Sequence, residues 1–206
     1  MHLSFRWVRL RDALHFDGDV EKTAQRLLER YSESHRKYHT VLHLAHVLGE
    51  IDETTLETRE AALVELGAWF HDAIHDPELS NNEEMSARLA TKVLSHHGLN
   101  AEDIATVSRL VLDTKAHTPS DDVLSPVLLD ADLAILGQPW DVYHRYIVRV
   151  REEFGFIPDR LWRMHRPSFL GGFITRDRLF FTPRAFERYE AQARSNMVKE
   201  IELLTT

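Results

Sequence analysis

Thirteen histidines are spread over this 206-residue chain, and nine of them fall between His35 and His117. Imidazole is the most common metal ligand among side chains and the one that titrates near neutrality, so such clustering is a first pointer to chemistry. In YHTVLHLAHVL, His39 and His43 are four apart, a spacing that puts both on one face of a helix, with His46 beside them. In AWFHDAIHDP the pairs His71/His75 and Asp72/Asp76 repeat that spacing directly after the most hydrophobic stretch of the chain, Ala61 to Phe70. In PVLLDADLAILG, Asp132 is in line with Leu128 and Leu136 and is expected inside, whereas Asp130 is about 200° away around the helix. A buried carboxylate is costly unless something compensates it, and a cation does so. Imidazole nitrogens with carboxylates and no sulfur suit Mg, Mn, Fe, Co, Ni or Zn, with positions left open for water.

The elements that must position these residues read as helices. Apolar residues recur at three- and four-residue spacing in Val20/Ala24/Leu27/Tyr31, Met85/Leu89/Val93, Ile104/Val107/Val111, Tyr143/Ile147/Val150/Phe154 and Tyr189/Ala193/Met197/Ile201. Asn100, Ser125 and Thr182 suit N-caps, Pro126 and Pro183 suit first helical positions, and Gly49, Gly98, Gly137 and Gly155 suit helix ends. Gly171-Gly172 and neighbouring prolines break the periodicity between Phe156 and Pro183. The expectation is an all-α bundle of eight to ten helices in one domain over 1–206, with a helical core at about 19–155, a C-terminal helical extension at about 156–206, and the Ala61–Phe70 helix at its centre. The absence of cysteine excludes disulfide frameworks, thiolate zinc sites, iron–sulfur clusters and cysteine nucleophiles. A formal charge of −8 disfavours nucleic-acid polymers and anionic membranes as partners. With no apolar run near the ~18 residues of a membrane span and a charge-interrupted N-terminus, a cytoplasmic protein is expected.

The order His43, then His71-Asp72, then Asp132 resembles the HD superfamily of metal-dependent phosphohydrolases, which carry a histidine, an adjacent His-Asp pair and a final aspartate in that order. The segments RKYHTVLHLAHVL, AWFHDAIHDP, NNEEMSARLA, the Thr114/His117 region, LLDADLAILG and ARSNMVKEIELL extend the likeness, roughly from Tyr31 to Leu204, to a subgroup of HD phosphohydrolases of unknown substrate. One departure is His75, where that subgroup carries Tyr. The resemblance implies an HD-type helical bundle in which His43, His71, Asp72 and Asp132 hold a divalent cation, with Asp72 able to bridge to a second. It implies hydrolysis of a phosphoester or pyrophosphate bond, including those of nucleotides, by metal-activated water. An acidic chain then needs local cations for the phosphate, and Arg36 leads, followed by Lys115 and Arg151. His39, His75 and His117 are the candidates for protonating the leaving group.

Two other classes fit the same residues. One is an oxygen-activating di-iron enzyme of HD type, drawing on His75, His96, His97 and His117; the other is a metal- or nucleotide-sensing module without catalysis. His96-His97 before Gly98 fits helix C-capping, Asn82-Glu83 fits capping at a helix start, and Arg149/Arg151 with Glu152/Glu153 fits a solvated ion-pair face. Neither the substrate nor the oligomeric state can be read from the sequence.

Overall fold

The computed structural model describes residues 3–206, and among them every regular element is helical: ten α-helices and one short 3-10 turn, an all-α fold. The chain divides into two compact units, Met1–Ala131 and Asp132–Thr206. The first contains α1 (Ser4–Leu14), α2 (Val20–Arg30), α3 (Val41–Asp52), α4 (Thr58–Phe70), α5 (Asn82–His96), α6 (Ala101–Asp113) and most of α7 (Leu124–Leu133). The second holds the 3-10 turn (Ala134–Gly137), α8 (Trp140–Glu153), α9 (Asp159–Ile174) and α10 (Pro183–Thr205). The division therefore falls inside α7, well before the 155/156 boundary expected from the sequence.

In the first unit α4 is the organising element. All nine residues from Ala62 to Phe70 are buried, so past its exposed first turn the helix has no solvent face, as an apolar run interrupted only by Glu65 predicts. Glu65, the one charged residue in that run, is matched by Arg6, whose Nε donates to Oε1 at 2.7 Å while its other nitrogens reach Asp52. Helix α1, outside the core range expected from the sequence, packs on α4. Trp7 is fully buried and meets Trp69 and Phe70 edge-on, with ring centroids 5.8 and 6.1 Å apart.

Helix ends follow the sequence signals in part. Asn100 and Thr182 accept from the backbone N–H groups of Asp103 and Ala185, and Pro183 opens α10. Ser125 does not cap α7; Asp122 does, accepting from the N–H groups of Leu124 and Ser125. Gly98 ends α5 at φ +76°, where glycine is favoured, but Gly49 lies within α3. The stretch expected to be broken, 156–183, contains the sixteen-residue helix α9, with Pro167 and both glycines inside it. Its buried stripe Trp162, Arg166, Leu170 and Phe173 outweighs the weak propensity. Arg166 donates to Glu200 at 2.8 Å, and the other Glu200 oxygen accepts from Tyr143, a polar network that ties α8, α9 and α10 together. Among the described residues no helix is long and apolar enough to cross a membrane.

Trp7→Ala is expected to cost about 3–5 kcal/mol by opening a cavity against α4. Phe5→Ala, at a position 61% exposed, should stay within about 0.5 kcal/mol. Urea unfolding followed by circular dichroism compares the two directly.

Candidate metal centre

The end of α4 and the start of α3 bring three acceptor atoms together. His43 lies on the first turn of α3, behind the N-cap Thr40, and is 4% exposed. His71 and Asp72 follow Phe70, the last residue of α4. His43 Nε2 is 3.0 Å from His71 Nε2, His71 Nε2 is 3.1 Å from Asp72 Oδ2, and His43 Nε2 is 3.5 Å from the same oxygen. Donors about 2.1 Å from one ion at right-angle to tetrahedral spacing stand about 3.0–3.4 Å apart, so the three atoms match a shared coordination shell. Asp132 follows Ala131 within α7. Asp130 is buried but is not one of these converging ligands.

The tautomer of His71 follows from its other nitrogen. Nδ1 lies 2.7 Å from the carbonyl oxygen of Ala68, to which it must donate, so Nε2 of the neutral ring presents a lone pair to the site. Three lone-pair atoms facing one another this closely repel unless a cation or a proton sits among them. Burial by itself would raise the Asp72 carboxyl. The charges of His71 and His39, with hydrogen bonds from His43 and His71, outweigh that and hold it well below the usual carboxylate range. The atoms converge where a cation could take the place of those charges and protons, and these His and acidic residues could hold one.

The remaining expected residues are placed as follows. His39 does not share a helical face with His43, because α3 begins only at Val41; it sits in the preceding bend. His75 likewise lies in the turn after α4, not on a continued helix. The two rings nevertheless meet, with centroids 4.2 Å apart and planes tilted by 35°, and His35 donates to the His75 carbonyl at 2.7 Å. Arg36, read from the sequence as a cation facing phosphate, is turned the other way. Its side chain is fully enclosed, and its guanidinium donates to the carbonyl oxygens of Asp72, Ala73 and His39. Lys115 donates to the carbonyl of Ser80 and pairs with Glu84, which raises its pKa and lowers that of Glu84. Arg151 donates to the carbonyls of Phe154 and Ile157 and closes the α8–α9 connection. His117 adopts a left-handed backbone conformation, φ +46°, and is not among the converging ligands.

Asn82 and Glu153 also depart from the roles their sequence context suggests. Asn82 does not cap α5; its amide accepts from Asp76 N–H and donates to the carbonyls of Asp76 and Leu79, closing the loop that follows the ligands. His97 is the C-cap of α5, as the sequence suggested, and is also buried: it is 3% exposed and its ring reaches the Asp17 carbonyl at 2.5 Å and Thr23 Oγ1 at 2.8 Å. Glu153 is buried rather than solvated. No protein-family model and no curated protein matches the chain.

Metal-stripped protein is expected to bind Mn or Co by calorimetry, and His71→Ala/Asp72→Ala to lose more than the ~10–100-fold typical of residues beyond the ligands themselves. Asp132→Asn should abolish the melting shift that Mn produces. Asp130→Asn should only reduce it.

Proposed function

We propose that this chain is a metal-dependent phosphohydrolase of HD type that cleaves a phosphoester or phosphoanhydride bond in a small substrate such as a nucleotide. The observation that carries this reading is the convergence of His43 Nε2, His71 Nε2 and Asp72 Oδ2 within 3.0–3.5 Å of one another. The order of the ligands along the chain, which resembles the HD superfamily, gives the reaction class. A divalent cation held there lowers the pKa of bound water to near 7 and offsets phosphoryl charge.

The protein's own groups have separate tasks. Asp72, kept ionised by its histidine neighbours, supplies the anionic ligand at neutral pH. His71, fixed by Ala68, keeps Nε2 directed inward. His39 and His75, whose rings meet at a tilt and are only partly buried, are the side chains suited to hold phosphoryl oxygens and to return a proton to the leaving group. Arg36 and Lys115 have other partners. That commitment favours, as a second reading, a sensor that binds metal and an anion without turnover.

With Mn or Co present, phosphate release from at least one member of a panel of nucleotides and phosphomonoesters is expected. His39→Ala and His75→Ala should each lower kcat by about 10²–10⁴-fold with metal stoichiometry unchanged. Bound metal with no release across the panel would favour the sensor.

A further inference from the structure

We infer that Arg36 is a positioning residue that sets metal affinity by fixing the backbone of Asp72, and that it is not a substrate contact; this rests on the metal-binding reading above. The guanidinium is planar and its donors are fixed in direction, so the partners it meets define its task. Nη1 donates to Asp72 O at 2.7 Å and to His39 O at 3.1 Å, Nη2 to Ala73 O at 3.3 Å, and Nε to Glu33 Oε2 at 3.1 Å. The side chain has no exposed surface, and its cationic carbon lies 5.2 Å over the ring of Tyr31.

Holding the carbonyls of Asp72 and Ala73 fixes the position of the turn, and with it the Cα from which the Asp72 side chain departs. Oδ2 of that side chain is the atom 3.1 Å from His71 Nε2 and 3.5 Å from His43 Nε2. Displacement of the freed turn would carry the oxygen out of the shared shell. The same guanidinium holds the carbonyl of His39, so the bend before α3 and the turn after α4 are locked to each other through one side chain. A lysine keeps the charge, but its single ammonium cannot reproduce a planar fork across carbonyls from two segments.

The test is Co(II) titration of the full-length, metal-stripped chain, followed by visible absorption, for wild type, Arg36→Lys and Arg36→Ala. Leu10→Ala serves as a destabilised control on α1, remote in sequence from the ligands. Folding is checked by far-UV circular dichroism. Both Arg36 variants are expected to bind Co(II) at least tenfold more weakly, with a shifted visible band that reports altered ligand geometry; Leu10→Ala should keep the wild-type spectrum. If Arg36→Ala does not fold, Arg36→Lys carries the test alone. Wild-type affinity and spectrum in a folded Arg36 variant would overturn the inference, as would a raised KM with unchanged Co(II) binding, the signature of a substrate contact. Absence of Co(II) binding in wild type would instead overturn the metal reading itself.

Discussion

The first unit is arranged around one constraint: a helix buried on all sides has carbonyl groups at its C-terminus that cannot reach water. Helix α4 ends inside the protein, where the carbonyls of Gly67 and Phe70 accept from the backbone N–H groups of His71 and Ala73 and the other acceptors are met by side chains. Tyr31 O–H reaches the carbonyls of Ala68 and Trp69, His71 Nδ1 donates to Ala68, and Arg36 takes Asp72 and Ala73. Ser86 then accepts from the N–H of Ile74 and donates to its carbonyl, and Asn82 does the same for Asp76. The turn carrying the two adjacent ligands is therefore fixed residue by residue. Ligand geometry is a by-product of satisfying the backbone.

That rigidity has an electrostatic use. Two imidazole nitrogens and a carboxylate oxygen at 3.0–3.5 Å would separate if their backbones were loose and neither a proton nor a cation were shared among them, because their lone pairs repel. Held by α3 on one side and by the clamped turn on the other, they stay in place, and the repulsion becomes a preference for whatever cation enters. The ring of His71 illustrates the coupling. The same bond from Nδ1 that satisfies an orphan carbonyl of α4 also selects the tautomer that points a lone pair at the site.

How much of this could be read in advance depended on what each signal encodes. That His43, His71 and Asp72 come together was legible because residue type and chain order carry the pattern whatever the local backbone. The helical faces drawn through His39/His43 and His71/His75 were not, since α3 starts at Val41 and α4 stops at Phe70; the rings of His39 and His75 meet through turn geometry that four-residue spacing does not describe. Arg36 was legible as a residue of interest but its direction was not. Sequence gives the sign of a charge, whereas the carbonyls it satisfies exist only once α4 is buried. Helix α9 was obscured by Pro167 and the Gly171-Gly172 pair, whose unfavourable propensities are outweighed by burial of Trp162, Leu170 and Phe173, a tertiary effect.

The distribution of positive charge bears on how an anion could be accepted. The chain carries a formal charge of −8, and its strategically placed cations have structural partners: Arg6 on Glu65 and Asp52, Arg36 on backbone carbonyls, Lys115 on Glu84, Arg166 on Glu200. Without a bound cation the ligand cluster presents the ionised Asp72 to an approaching phosphate and is repulsive. Occupied by a divalent cation, it becomes the strongest positive charge in its surroundings. On the phosphohydrolase reading, the order of binding then follows from charge alone, with the cation preceding the phosphate. On that same reading, specificity for the rest of the substrate would come from groups around His39 and His75, where polar side chains are only partly buried, rather than from an arginine fork, because Arg36 already has its guanidinium directed at the backbone.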